Sequence, residues 1–246
     1  MSTLENAVLE LEALFPEEGA RELDAGNLPP ALAQKSAGLI LESETALSMG
    51  GPEVPSARLL LYSSAPMPEG DRIVLAGSDL SELDGTVPFA EAVVLHGKAV
   101  TTEVFYRFVQ RHKRLLDQPG FMVKTMKDEI WCRADAQAKQ AGLAEISRRF
   151  LARVREAFPE VEAIDLRWVT GHPEAVGRLA DAARRCEETV TAIKAGVWKD
   201  RGFDYKSCQL AGHCGDCGDK KTCASVRQME AKVRMKRRRE AAAAAA

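Results

Sequence analysis

The chain has 246 residues, of which 46% are apolar and 28% are charged, and its formal net charge is −2. This composition supports a packed core and excludes wholesale disorder, and the charge balance is unlike that of a general nucleic-acid-binding protein. No run of about 18 apolar residues is present, and the acidic stretch from Met1 to Phe15 lacks the basic start of a signal peptide. We therefore expect a cytoplasmic protein without a membrane span, whose six cysteines are ligands or core residues rather than disulfides.

Residues 1–44 are expected to form an N-terminal segment of helix and loop. Leu4, Val8, Leu11 and Leu14 recur at helical spacing and predict a short amphipathic helix over residues 3–14. The stretch 15–30 is rich in proline, glycine and acidic residues, which predicts a loop. A second short helix is expected over residues 31–41.

Residues 45–198 alternate between strand-like and helix-like patterns. Strands are predicted at residues 59–61, 73–75, 93–95, 130–133 and 164–169, the last with Asp165 and Arg167 alternating with Leu166 and Trp168. Helices are predicted from the N-cap Thr101 to Gln118, from residue 134 to residue 158 with a break near Gly142, and from Pro173 to about Ala195. This alternation predicts an α/β domain with a mixed sheet and flanking helices.

Residues 199–240 differ in composition from the domain before them. The stretch 199–224 is rich in Gly, Asp, Lys and Cys, and it has too few aliphatic residues to fold around a core of its own. Residues 225–240 predict a helix, and from residue 226 they carry seven Lys/Arg against two Glu. We interpret the six alanines 241–246 as an artefact. The sequence therefore predicts a small cysteine-rich C-terminal module followed by a basic helix.

Four cysteines give this module its chemistry. Cys208, Cys214, Cys217 and Cys223 follow the spacing C-x5-C-x2-C-x5-C, and glycines flank the central pair. Four thiolates this close in sequence can converge on one cluster or one tetrahedral ion. A structural zinc ribbon more often has two C-x2-C pairs, so the spacing favours an iron–sulfur cluster, with 4Fe-4S as the expected type. Structural zinc and uncoordinated thiols stay open as alternatives. His213 could replace one sulfur as a ligand, although an exposed loop histidine is the favoured interpretation.

The remaining candidates are given structural interpretations. Cys132 and Cys186 are expected to be packing residues. His96, His112 and His172 form no motif, and Gly50-Gly51-Pro52 is expected to be a turn rather than a phosphate cradle. Arg107, Arg111 and Arg114 share one face of a helix, where they could meet a phosphate-bearing ligand or an acidic partner, although a solvated face is the usual reason for such a pattern.

A resemblance extends over roughly residues 45–200. Its motifs are Ser48-Met49-Gly50-Gly51-Pro52, Val87-Pro88-Phe89, Val93-Val94-Leu95-His96-Gly97-Lys98, Ile130-Trp131-Cys132-Arg133 and Ala157-Phe158-Pro159, with the strands and helices between them. This order resembles the middle domain of the acetyl-CoA synthase (β) subunit of the carbon monoxide dehydrogenase/acetyl-CoA synthase complex. In that family, the region that follows supplies cysteines to a nickel–iron–sulfur site that assembles acetyl-CoA, and arginines of the middle domain bind coenzyme A.

This sequence also departs from the family. The cysteine spacing differs, and no Cys-Gly-Cys segment for the distal nickel follows Cys223. We therefore expect an iron–sulfur-cluster-binding subunit or accessory protein of a low-potential redox complex, which transfers electrons or uses its cluster for docking. Its expected partners are protein subunits of that complex, and coenzyme A is a further possible ligand. A zinc-stabilised interaction module and an acetyl-CoA synthase-type acyl transferase are the alternatives.

Overall fold

The computed structural model describes residues 3–15, 19–26, 38–51, 53–65, 67, 70–126 and 129–200. Its strands are β1 Ala20–Leu23, β2 Leu47–Met49, β3 Ser56–Ser63, β4 Arg72–Ala76, β5 Thr86–Val87, β6 Phe89–His96, β7 Phe121–Met126, β8 Glu129–Ala134 and β9 Ala163–Thr170. Its α-helices are α1 Thr3–Leu14, α2 Thr102–Leu116, α3 Ala136–Ala157 and α4 Pro173–Asp200. These elements belong to the compact unit Met1–Ile193, apart from the last turns of α4.

The central sheet has five strands in the order β1-β4-β9-β6-β3. Strands β4 and β9 are parallel, as are β3 and β6, while β1 with β4 and β6 with β9 are antiparallel. The mixed sheet is therefore confirmed. Four of the five predicted strands are β3, β4, β6 and β9 of this sheet, and the fifth is β8 of the second sheet. The central strands β6 and β9 are almost wholly buried, which explains their long apolar runs.

A second sheet of four strands packs against the first. Its order is β5-β2-β8-β7, and β8 contacts β3 and β6 of the central sheet. Only β8 was predicted, because β2 and β5 are too short to form a pattern. Strand β7 was also missed. Phe121 and Val123 face the core, and Lys124 on the other face is exposed.

Helices cover both faces of the central sheet. On one face, Phe105 of α2 contacts Tyr62 of β3 with ring centroids 4.8 Å apart, and Ser147 of α3 accepts a hydrogen bond from Trp168 Nε1 at 2.8 Å. On the other face, α1 contacts β3, and its Glu10 lies 3.6 Å from Arg185 of α4. The result is an α/β arrangement with flanking helices, as the sequence predicts. Within the described part of the chain, no helix has the length and apolar character needed to cross a bilayer.

A network of four charged side chains attaches α1 to the sheet. Arg72 of β4 lies beside Asp165 of β9 in register, and Arg167 pairs with the same carboxylate at 2.7 Å. Glu12 of α1 closes the network, since its Oε1 accepts from Arg72 at 2.7 Å and from Arg167 at 2.6 Å. The sequence pattern places Asp165 and Arg167 correctly on one face of β9, but it does not reveal that a helix covers them.

The predicted helix break occurs at Gly142 and has a clear cause. Gly142 has φ 75°, in the left-handed region that favours glycine. The Asp79 carboxylate accepts hydrogen bonds from the backbone N–H groups of Leu80 at 2.7 Å and Leu143 at 2.8 Å. Asp79 therefore caps the second half of α3, and a Cβ on Gly142 would lie only 2.8 Å from its Oδ2.

In the N-terminal segment, the predicted loop is corrected by the structure, and the predicted second helix lies mostly outside the described residues. The predicted loop 15–30 contains strand β1, whose residues pair with β4 along the sheet edge. Tertiary pairing imposes this strand on a sequence that has little intrinsic strand preference. Most of the helix expected over 31–41 lies outside the described residues, and the described residues 38–41 are not helical. The boundaries proposed at 44, 198 and 240 stay predictions.

Candidate functional site

The predicted cluster ligands are not among the residues that the structure describes. Cys208, Cys214, Cys217 and Cys223 all follow residue 200, where the description ends. In the ranges that are described, no three His, Cys, Asp or Glu side chains come together as a metal site. The cysteine module and its cluster therefore stay predictions, while the α/β unit offers other surfaces that can be examined directly.

The outer face of the second sheet presents a tryptophan between two cations. Lys124 of β7 is the register partner of Trp131 of β8, and its Nζ lies 4.9 Å from the centroid of the indole ring. Arg133 lies on the same face, with its guanidinium carbon 5.8 Å from that ring. Trp131 is only partly buried and Lys124 is exposed. We call these three residues the tryptophan platform.

Neighbouring segments hold the tryptophan platform in place. Arg133 Nη1 donates a hydrogen bond of 3.3 Å to the backbone oxygen of Ile40, whose own side chain is buried. Gly51 lies against the indole, because a Cβ at that position would be 3.4 Å from Trp131 Nε1. Gly50 has φ 66° and packs against the Ile130 carbonyl oxygen, beside β8. Pro52 of the predicted turn lies outside the described residues, so that turn stays a prediction. An aromatic ring flanked by cations suits a flat, anionic ligand.

The arginines of α2 occupy a second surface. Arg107 forms an ion pair with Glu160, and its guanidinium lies over the Phe158 ring at 5.7 Å. Arg111 lies over the same ring at 5.9 Å and is exposed. The three arginines of the sequence pattern do share the outward side of the helix, while Phe108 on its inward side is buried.

Sequence reasoning missed a buried polar pair in the core. His112 Nε2 lies 3.0 Å from Oε1 and 2.9 Å from Oε2 of Glu91, and both side chains are fully buried. The rings of Phe108 and Phe150 pack edge-on against the imidazole, and no described residue forms a hydrogen bond with His112 Nδ1. The signal that could have identified the pair is the position of each residue on an otherwise apolar face, His112 on α2 and Glu91 on β6.

The two described cysteines are packing residues, as expected. Cys132 is fully buried, and burial raises the pKa of its thiol well above the usual value, with the Glu91 and Asp117 carboxylates adding to the effect. Burial also raises the pKa of Cys186, and the neighbouring Arg185 only partly offsets this. Both thiols therefore stay protonated near neutral pH, so neither is an activated nucleophile.

Part of this chain is similar in sequence to part of a known protein. No protein-family model matches the chain. Over 148 residues, the chain is 29% identical to the acetyl-CoA decarbonylase/synthase complex subunit beta of Methanothermobacter thermautotrophicus. The chain is distantly related to that subunit. The match covers 58% of this chain and 32% of the relative, so the relation concerns one part of a longer protein.

Proposed function

We propose that this chain is a subunit or accessory protein of a carbon monoxide dehydrogenase/acetyl-CoA synthase-type complex, and that it carries an iron–sulfur cluster. The main support for this proposal is the partial sequence relation to the beta subunit of such a complex. The confirmed mixed α/β fold supports it, because the strands and helices follow the order expected from the resemblance.

The donor set of the C-terminal module fits the cluster. Cys208, Cys214, Cys217 and Cys223 supply four thiolates, the number that a 2Fe-2S or 4Fe-4S cluster takes from protein. When bound, the cluster would transfer an electron or fix the shape of the module for docking. Ligand binding would also supply the folding free energy that this core-poor stretch lacks.

Metal analysis of anaerobically purified protein tests the cluster directly. We expect broad visible absorption and about four irons per chain for a 4Fe-4S cluster. Replacing Cys214 or Cys217 with Ser should remove this absorption and the iron, whereas Cys132→Ser, at a buried packing position, should leave the iron content unchanged. Stoichiometric zinc without iron would instead establish the zinc-stabilised interaction module.

The tryptophan platform supports a second role, the binding of coenzyme A. Lys124 and Arg133, both over the ring of Trp131, offer cations for the phosphates, and the partly buried indole offers an aromatic contact for the adenine ring. The name of the related subunit links its complex to acetyl-CoA. Binding of coenzyme A, rather than its chemical conversion, is the proposed role.

Calorimetric titration with coenzyme A tests this role. Lys124→Gln removes one phosphate-directed cation, and we expect it to weaken binding about tenfold, corresponding to about 1.4 kcal/mol. Lys98→Gln is the matched control, since Lys98 is exposed and lies in the loop between β6 and α2, where its backbone N–H donates to Glu162. Equal affinity of the wild-type protein and the Lys124 variant for coenzyme A would show that coenzyme A does not bind at the platform.

A further inference from the structure

Helix α2 concentrates positive charge on its outward side. Arg107, Arg111 and Arg114 follow one another at steps of four and three residues, the spacing that aligns side chains along one face of a helix. Like charges at this spacing destabilise a helix by a few tenths of a kcal/mol per pair, so helix stability does not explain the pattern. The helix itself is held by its apolar side, which includes the buried Phe105, Phe108 and Leu115.

The structure keeps two of these guanidinium groups together. Both Arg107 and Arg111 lie over the ring of Phe158, which is fully buried at the end of α3. Glu160 neutralises Arg107, whereas no carboxylate of the described residues forms an ion pair with Arg111. The ring of Phe158 therefore orients the exposed guanidinium of Arg111 and leaves the N–H donors of that guanidinium available. Because the side chain is already oriented, Arg111 loses less conformational entropy when it binds a partner.

The shape of this surface determines the kind of partner it fits. From Arg107 to Arg114, the helix rises about 10 Å at 1.5 Å per residue, so the cations form a line on a convex surface rather than the walls of a pocket. A small anion needs a concave site to be enclosed, whereas an extended segment with several carboxylates can follow the line. We propose that Arg107, Arg111 and Arg114, named here the arginine line, dock an acidic segment of a protein partner, with Arg111 as the principal contact because Arg107 already pairs with Glu160. This inference relies on the proposed function only for the identification of that partner as a subunit of the complex.

Binding of a labelled peptide to the whole 246-residue chain measures this docking. The probe is fluorescein-decaglutamate, with anisotropy recorded at about 50 mM NaCl, where surface charges are only partly screened. We expect the peptide to bind, and we expect Arg111→Gln to weaken binding about fivefold, the usual contribution of one exposed ion pair. Arg184→Gln on α4 is the matched control, because Arg184 is exposed and already pairs with Asp181. Binding should also weaken as the salt concentration rises.

Several outcomes would overturn the inference. These are absence of peptide binding, equal weakening in the Arg111 and Arg184 variants, or full competition by pyrophosphate or by a uridine decanucleotide at lower concentration than the peptide. Iron content distinguishes this inference from the proposed function. Iron-containing protein that ignores the peptide would refute the arginine line alone, whereas iron-free protein that binds the peptide would refute the cluster alone.

Discussion

The buried pair of His112 and Glu91 leads to a quantitative prediction. Both side chains are fully buried, and the imidazole Nε2 lies within 3.0 Å of both carboxylate oxygens. Removing one member of a buried pair leaves the other polar group without its partner, which typically costs about 3 kcal/mol or more. We therefore expect Glu91→Leu, which leaves His112 without a hydrogen-bond partner, to lower the free energy of unfolding by about 3 kcal/mol.

A double-mutant cycle isolates the interaction between the two residues. His112→Phe places a ring between Phe108 and Phe150, and alone it leaves Glu91 buried without a partner. Combined with Glu91→Leu, it replaces the whole pair by apolar groups, so the double variant should be no less stable than either single variant. With a loss of about 3 kcal/mol in each single variant, this corresponds to a coupling energy of about 3 kcal/mol.

Urea unfolding of the wild-type protein, both single variants and the double variant gives these free energies. A loss of about 3 kcal/mol corresponds to a fall in Tm of about 6 to 12 °C for a unit of this size. The exposed His172 supplies the control, and His172→Phe should change stability by less than about 0.5 kcal/mol. Additive losses in the double variant would refute the reasoning, since they would show that the two side chains do not stabilise one another.

Two further predictions concern α1 and α3. The hydrogen bond from Arg167 is the main cause that lowers the pKa of Glu12 from 4.5 to about 2. Because the folded state favours the ionised carboxylate, Glu12 stabilises the fold above pH 4.5, and this stabilisation is lost as the pH falls towards 2. Because the Glu12 carboxylate is largely exposed, the contribution should be about 1 kcal/mol. Urea unfolding from pH 2 to pH 6 gives the free energy of unfolding of the wild-type protein and of Glu12→Gln at each pH, and the two values should converge towards pH 2. Gly142→Ala should cost about 1 to 3 kcal/mol, because its backbone is left-handed and the new Cβ meets Asp79. Gly177→Ala, in α4 with nothing within 4 Å of the new Cβ, should instead stabilise the fold by about 0.5 to 1 kcal/mol. Thermal unfolding of both variants measures the two changes, and a fall in Tm for Gly177→Ala as large as that for Gly142→Ala would contradict the reasoning.

The strands and helices that sequence patterns located share one property. Each carries a run or a stripe of apolar residues long enough to show its period, as in β3, β6 and α2. The missed strands β2 and β5 have three and two residues, and a period cannot be recognised over so short a length. Strand β1 is exposed along most of its length, and pairing with β4 defines it rather than burial of its side chains.

In the candidate surfaces, too, sequence spacing predicts local positions but not the contacts between residues far apart in the chain. The spacing of Arg107, Arg111 and Arg114 placed them on one helix face, yet Phe158 and Glu160 lie more than 40 residues further along the chain and only the fold brings them to that face. The tryptophan platform likewise depends on the register of β7 with β8, which places Lys124 opposite Trp131. No local pattern encodes either contact.

The sequence by itself determined the α/β class, the principal strands and helices, the helix break at Gly142 and the cysteine set proposed to bind a cluster, because local periodicity, backbone preference and thiol spacing act over short distances. The tertiary structure alone decided which polar residues are buried. Asp165, Arg167, Glu91 and His112 look in sequence like surface residues, but all four are buried in the fold. Their burial depends on partners distant in the chain, such as Glu12 for Arg167, whose ion pairs and hydrogen bonds offset the cost of removing charge from water.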